Sequence, residues 1–455
     1  MATSLIEGNV GAHLRRLALP MIGGIFALVA FNLADTYFVG QLGTEQLAAI
    51  SFTFPVVLTL GNLAMGLGIG AASVIARAIG EGDHSRVQRF TTNSLILALV
   101  AVALFVTVGL FTIDPLFTAL GATPETLPLI RDYMQIWYFG MIFLVVPMVG
   151  NNAIRAAGNT ATPSLIMTTA AVVNIALDPL LIFGWAGFPA LALKGAALAT
   201  VGSRAVTLVA SLLVLHFKEH LLSLRFPRPR EMFWCWKDIL HVGVPAAMTQ
   251  MINPISIGVI TSLIASFGAQ AVAAFGVATR VESLALIVLM ALAASIGPFV
   301  GQNSGAHRYD RIQRSLQLSL WFCIGWGLLT ACLLALSAPQ LASLFNGDPE
   351  VIAIAVRYLW IVPISYGGAG IIQVASSAFN ALGKPLPSVV MTVIRMGVLY
   401  VPLAYVGANW VGISGVFGAA CLSNLVVGIG AYLWNQRTCT AKRAAALAVK
   451  VAVTE

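Results

Sequence analysis

Three carboxylates lie inside long apolar stretches of the sequence, where an ionised group is costly. They are Asp35, Asp178 and Glu282. A charged side chain at the centre of a membrane-spanning helix costs about 2.5 kcal/mol or more, so such residues usually serve an ion or substrate pathway. Arg280 precedes Glu282 by two positions, a spacing that does not bring side chains together on a helix. We therefore expect Glu282 to form a structural ion pair with Arg395, and Asp35 and Asp178 to carry the chemistry.

Further oxygen ligands accompany Asp178. Asn174 precedes it by four residues and shares its helix face. Pro179 donates no backbone hydrogen bond and so frees a carbonyl one turn earlier. Thr200 offers a hydroxyl at a comparable depth in the next apolar stretch. With Asp35, these hard oxygens suit Na⁺, or a proton held on a buried carboxylate. We predict a cation-coupling site at these four side chains.

Four other positions suggest conformational or cavity roles. Pro20 interrupts the first apolar stretch and leaves a carbonyl unpaired, which favours a kink. A static bend and a moving hinge are equally compatible with that kink. Met21, Asn151 and Met167 bring thioether and amide groups that suit an adaptable substrate cavity, although ordinary packing explains each of them too.

Composition places these residues in a membrane. Hydrophobic residues make up 59% of the 455 and charged residues only 9%, whereas soluble domains carry roughly 25% charged residues. The apolar runs are long enough for helices to cross about 30 Å of hydrocarbon, and they lack the alternation of barrel strands. We predict an all-α polytopic membrane protein with twelve transmembrane helices. The predicted spans are 13–38, 49–78, 92–113, 129–155, 163–186, 195–216, 238–265, 271–299, 315–338, 352–379, 386–406 and 413–434.

The charge distribution predicts the orientation. With the N-terminus inside, nineteen of the 25 Lys and Arg residues fall in inner loops and tails, three in outer segments and three within spans. This bias predicts a plasma (inner) membrane protein with both termini cytoplasmic, and it explains the net charge of +8 without a nucleic-acid partner. Five scattered cysteines argue against a disulfide framework or a zinc site.

The two halves of the sequence repeat each other 225 residues apart. Matching pairs are Pro20 and Pro245, Gly43 and Gly268, Arg86 and Arg311, Tyr133 and Tyr358, and Gly158 and Gly383. The offset slips to 220 at Gly195 and Gly415. We predict an N-terminal six-helix lobe at 1–216, an extended cytoplasmic linker at 217–237, and a C-terminal six-helix lobe with a short tail at 238–455. The two bundles would be parallel repeats that enclose a substrate site near the midplane.

The two carboxylates of the first half have no acidic counterparts in the second half. Asp35 corresponds to Ile260, and Asp178 corresponds to Val401, next to a proline that is kept. The fold therefore does not require these carboxylates, which favours a functional role. The structural alternative is that both merely pair with Arg204 or with hydroxyls.

On these features the chain resembles the multidrug and toxic compound extrusion (MATE) family over nearly its whole length. The resemblance rests on the twelve spans, the parallel duplication, residues 32–40, 158–160 and 195–200, and Asn174 with Asp178. The family implies export of cationic or amphiphilic drugs against inward H⁺ or Na⁺ by alternating access.

The resemblance also implies a branch. DinF-type members have a cation site where Asp35, Asn174, Asp178 and Thr200 fall, and bend their first span where Pro20 falls. NorM-type members use carboxylates in spans 7 and 10. Here Asn253 stands in span 7 and residues 367–381 of span 10 contain no acid. The DinF-type branch is therefore favoured.

Two other functions compete with drug antiport. A flippase or exporter of a lipid-linked or other amphiphilic metabolite would use the same fold. A flippase is expected to have a strongly cationic cavity, whereas only Arg204, Arg280 and Arg395 lie within spans. An intramembrane enzyme needs a nucleophile or metal set at mid-span, and all six histidines lie in loops or near span ends. We expect no enzymatic activity, no cofactor beyond the coupling ion, and membrane lipid but no obligate protein as partner.

Overall fold

The computed structural model describes residues 4–42, 44–223 and 227–454, so Gly43 and residues 224–226 of the predicted linker lie outside it. Throughout these ranges the regular structure is helical. The α-helices are α1 (Val10–Gly40), α2 (Thr44–Glu81), α3 (His84–Ala119), α4 (Leu127–Ala156), α5 (Ala161–Ile182), α6 (Ala192–Leu213), α7 (Pro229–Ala265), α8 (Ala269–Gly305), α9 (Tyr309–Phe345), α10 (Pro349–Ile361), α11 (Tyr366–Ala381), α12 (Leu386–Val393), α13 (Val401–Val411) and α14 (Ile413–Thr454).

Twelve helical segments of the described chain are long and apolar enough to cross a membrane, which confirms the predicted all-α polytopic fold. The tenth combines α10, a 3-10 turn and α11, and the eleventh combines α12, the π-helical segment Ile394–Tyr400 and α13. Another π-helical segment, Val214–Lys218, extends α6. The predicted linker is partly helical, because Pro229 begins α7 at a position where its missing N–H costs nothing.

The chain divides into two compact units. One contains Leu19–Ala247, and the other contains Leu5–Ala18 together with Met248–Glu455. The divisions therefore fall inside α1 and α7, within three residues of Pro20 and Pro245. The lobe and linker boundaries at 216 and 238 stay predictions.

Each unit has the same internal packing. In the first unit α4 packs against α2 and α3, and α5 packs against α6. In the second unit α11 packs against α8 and α9, and α13 packs against α14. The helix starts also correspond, since Thr44 and Ala269 are 225 residues apart, as are His84 and Tyr309. The structure thus repeats at the offset found in the sequence.

The connections differ where the offset slips. Residues 183–191 join α5 to α6 and include the 3-10 turn Trp185–Gly187. Gly412 alone joins α13 to α14, with a φ of 70° that favours glycine. The second copy thus has a shorter connection between its last two spans, in the region where the offset falls.

Arg311 binds the N-terminal segment in the second unit. Its guanidinium donates to the carbonyls of Leu5, Glu7 and Gly8 at 2.7–3.1 Å, and to Oδ1 of Asn303 at 3.0 Å. The segment just before α1 is therefore held at the start of α9 by charge-assisted hydrogen bonds.

Replacing Arg311 with Ala should release this segment. Hydrogen bonds to charged groups contribute about 1.5–3 kcal/mol each, so amide exchange at Leu5–Gly8 should accelerate at least tenfold. Arg308→Ala is the matched control, since the Arg308 side chain pairs with the exposed Asp310 and not with the N-terminal segment in the described structure. Hydrogen–deuterium exchange of the purified protein measures both. Equal exchange in the two variants would contradict the assignment.

Candidate functional site

α5 carries two polar side chains on one buried face. Asn174 and Asp178 are both fully buried, and Nδ2 of Asn174 donates a long hydrogen bond of 3.4 Å to Oδ1 of Asp178. The four-residue spacing thus brings an amide and a carboxylate together, as expected on a helix.

Two oxygens of this pair have no hydrogen-bond partner among the described residues. They are Oδ2 of Asp178 and Oδ1 of Asn174. Leaving a buried polar atom unpaired costs about 1–3 kcal/mol, and more when the group is charged. Carboxylate and amide oxygens are the ligands that hard cations prefer. The donor set therefore fits the predicted H⁺ or Na⁺, which would neutralise the carboxylate.

Asp35 on α1 is partly buried and lies within electrostatic range of both Asp178 and Arg204. Neither carboxylate forms an ion pair with Arg204 within 4.0 Å. Instead, the Arg204 guanidinium lies over the ring of Phe31, 6.0 Å from its centroid. The structural alternative of a direct pair with Arg204 is therefore not realised.

Tyr133 on α4 belongs to the same electrostatic neighbourhood, which includes Asp35, Asp178 and Arg204. Sequence reasoning used Tyr133 only as a marker of the repeat. In the sequence Tyr133 is marked only by its match to Tyr358, and the structure places Tyr358 beside an acidic side chain as well.

Thr200 is largely buried on α6 and lines a small cavity with Arg204 and residues of α4, including Met141. Its carbonyl accepts a hydrogen bond from the Ser203 hydroxyl. The structure records no hydrogen bond between Thr200 and Asp178, so its part in the cation site stays a prediction.

The other predicted positions lie elsewhere in the first unit. Pro20 is within α1, and its role as a hinge stays a prediction. Met21 is buried, and its sulfur accepts a hydrogen bond from the Ser164 hydroxyl at 3.6 Å. Met167 is partly buried on α5. Asn151 is 7% exposed on α4, and its Oδ1 has no partner. The cavity roles of these three also stay predictions.

The predicted pair of Glu282 with Arg395 is wrong. The Tyr358 hydroxyl donates to Oε2 of Glu282, and Nη2 of Arg395 donates to Oδ1 of Asn253 at 2.6 Å. The two charges interact only at longer range. Arg395 lies in the π-helical segment Ile394–Tyr400, whose wider turn alters the direction of side chains relative to an α-helix. Helix periodicity alone could not supply this register.

Replacing Tyr358 with Phe should destabilise the second unit by about 1–3 kcal/mol, because the Glu282 carboxylate loses its donor. Thermal unfolding in detergent measures the loss. Tyr405→Phe is the control, since Tyr405 is 47% exposed. Adding Glu282→Gln to Tyr358→Phe should recover part of the loss, because a neutral amide is less costly to bury. Equal melting temperatures for both tyrosine variants would exclude this contact as stabilising.

Comparison with known proteins agrees with these features. The MatE family model matches twice, over residues 20–180 and 245–406, one match in each half. The chain is 41% identical over 435 residues to the FAD transporter of Shewanella oneidensis strain MR-1, covering 96% of both proteins. It is 24% identical to the multidrug export protein MepA of Staphylococcus haemolyticus, covering 92% of both. The branch within the family stays a prediction.

Solved structures agree as well. The Vibrio cholerae MATE transporter VcmN in the bent form matches with a TM-score of 0.90 at 31% identity, covering 95% of this chain and 98% of that one. A transporter of the MOP superfamily from Pyrococcus furiosus matches with a TM-score of 0.88 at 28% identity, covering 96% and 98%. Two family-model matches over most of the chain and these full-length likenesses show that the protein belongs to the MatE family of multi-pass membrane transporters.

Proposed function

We propose that the protein exports flavin adenine dinucleotide (FAD), or a dinucleotide of the same chemistry, from the cytoplasm. The observation that carries the proposal is the 41% identity to a FAD transporter along 96% of both chains. Identity to the multidrug export protein MepA is only 24%. The higher identity to the FAD transporter favours FAD over drugs as the cargo.

The chemistry of the first unit supports this cargo. FAD joins two aromatic ring systems through an anionic diphosphate. An arginine guanidinium binds phosphate oxygens through paired hydrogen bonds, and aromatic side chains stack on planar rings. Arg204 lies over the Phe31 ring, and its Nε has no hydrogen-bond partner among the described residues. A cation beside an aromatic ring suits such an amphiphilic anion.

Transport follows alternating access coupled to H⁺ or Na⁺ at Asp35, Asn174, Asp178 and Thr200. Cation arrival relieves the repulsion between the two carboxylates and favours a rearrangement of α1 near Pro20. The membrane potential also drives export of an anion, because each negative charge that leaves a negative interior releases about 2.3 kcal/mol of free energy per 100 mV. The proposal includes a plasma membrane location with cytoplasmic termini, as the charge bias predicts.

Proteoliposomes test the proposal. Purified protein is reconstituted with FAD, riboflavin or ethidium on one side, under an imposed pH gradient, Na⁺ gradient or membrane potential. We expect intact FAD to cross faster than in protein-free vesicles, with one cation gradient accelerating it. Asp35→Asn should lose the gradient dependence. FAD recovered as hydrolysis products would instead indicate an enzyme.

Drug export is the second candidate, since several relatives are named as multidrug export proteins. It predicts that ethidium crosses under a cation gradient while FAD does not. That outcome would overturn FAD export and keep the coupling site.

A further inference from the structure

Arg155 is a partly buried arginine whose side chain has no bonded partner in the described structure. It lies in the last turn of α4, and its Nε is buried without a hydrogen bond. No ion pair or hydrogen bond joins its side chain to a described residue. Arg131, at the other end of α4, instead pairs with Asp114 at 2.7 Å.

The turn after α4 does not need this guanidinium. The carbonyls of Ala153, Ile154 and Arg155 accept hydrogen bonds from the backbone N–H groups of Ala157, Asn159 and Gly158. The last carbonyls of the helix are thus satisfied by the backbone itself, as in other glycine-terminated helices. A role for Arg155 in capping its own helix is therefore unnecessary.

The second copy builds the same turn without an arginine. There, Leu382, Gly383 and Lys384 donate to the carbonyls of Ala378, Asn380 and Phe379, each bond 225 residues from its counterpart. Asn380 occupies the position that matches Arg155. The fold can thus form this turn with a neutral residue, so the charge of Arg155 has another use.

Asn151 lies one turn before Arg155 and shares its helix face. It is 7% exposed, and the structure records no hydrogen bond from it to a described residue. Amide and guanidinium groups side by side offer several N–H donors and a positive charge. Those are the groups that bind a phosphate oxygen in a largely desolvated place.

We propose that Arg155 and Asn151 form a subsite for the phosphate groups of the transported dinucleotide, at the cytoplasmic end of α4. The inference rests on the proposed function. Residues of α4 that line the Arg204 cavity, such as Leu144, lie eleven positions earlier, roughly 16 Å along the helix. Arg155 is then the first cation that an anionic cargo entering from the cytoplasm meets along α4, and Arg204 a later one.

Ligand-induced stabilisation and FAD fluorescence test the subsite on the purified full-length protein. The variants are Arg155→Gln, Arg155→Lys and Arg131→Gln, the last removing the same charge from the same helix. The probes are FAD, pyrophosphate and riboflavin, which lacks phosphate. Arg155→Gln should weaken FAD and pyrophosphate binding about ten- to a hundredfold and leave riboflavin unchanged. Arg155→Lys should recover only part, because an ammonium cannot bind two oxygens as a fork. Arg131→Gln should match the wild type.

The outcomes separate the two proposals. FAD binding that is equal in the wild type and Arg155→Gln overturns the subsite and leaves FAD export standing. Pyrophosphate binding that depends on Arg155, in a protein that neither binds nor transports FAD, keeps Arg155 as a phosphate ligand and overturns both FAD export and the dinucleotide as its occupant. A membrane phospholipid offers the same phosphate chemistry. Loss of bound phosphatidylglycerol in native mass spectra of Arg155→Gln, with FAD affinity unchanged, assigns the site to lipid and overturns the cargo role.

Discussion

An Asp178→Asn protein should lose cation-driven transport at least tenfold while melting no lower than the wild type. The amide keeps the shape of the carboxylate and the contact with Asn174, whereas the charge that would attract H⁺ or Na⁺ is gone. Burying a charge without a bonded cation is costly, so neutralising Asp178 should leave stability unchanged or raise it. Gradient-driven flux in proteoliposomes and thermal unfolding give the two readouts.

Loss of transport without loss of stability distinguishes a coupling residue from a structural one. A structural hydrogen-bonder would lose stability together with transport. Asp114→Asn is the matched control, since Asp114 lies near the end of α3 and pairs with Arg131 at an exposed position. Asp178→Asn protein that transports at the wild-type rate under the same gradient would exclude the cation site proposed here.

Gly415→Ala should give the largest loss of stability, about 3 kcal/mol. Gly407 on α13 and Gly415 on α14 bring their backbones into direct contact, and a Cβ on Gly407 would lie 2.6 Å from the Gly415 carbonyl oxygen. A Cβ on Gly415 would clash with the Gly407 carbonyl as well. Neither obstacle is the end of a flexible side chain, so the two helices must separate, at the usual cost of overpacking.

Gly418→Ala supplies the comparison on the same helix. A Cβ at Gly418 meets nothing within 4 Å, and alanine favours a helix by about 1 kcal/mol over glycine. This variant should melt at or above the wild-type temperature. Similar melting of the two variants in detergent would show that the glycine contact is not tight in solution.

Hydropathy and the repeat predicted the fold well and the helix ends less well. The predicted span 92–113 is the central part of α3, which runs from His84 to Ala119, and 315–338 is the central part of α9. Apolar runs measure the thickness of the hydrocarbon, while these helices continue into the polar interface. The first turns of both helices, residues 84–91 and 309–314, are rich in polar side chains, so hydropathy gives little sign of them.

The site was predictable where it depends on one helix. The contact between Asn174 and Asp178 follows from a four-residue spacing. Asp35, Tyr133 and Arg204 come together from three other helices, α1, α4 and α6. Their meeting depends on tertiary packing, which periodicity does not encode. The same limit explains why Tyr358, and not Arg395, is bonded to Glu282.

The unequal connections of the two copies give the protein one natural attachment point for a reporter. Residues 183–191 already form an irregular loop, and lengthening a loop costs only about 0.6 kcal/mol for each doubling. A tag or fluorophore inserted there leaves α5 and α6 packed. The same insertion at Gly412 would force α13 away from α14, because one residue makes the whole connection. A label in the 183–191 loop would therefore report transport from the predicted outer face and leave the contact between Gly407 and Gly415 unchanged.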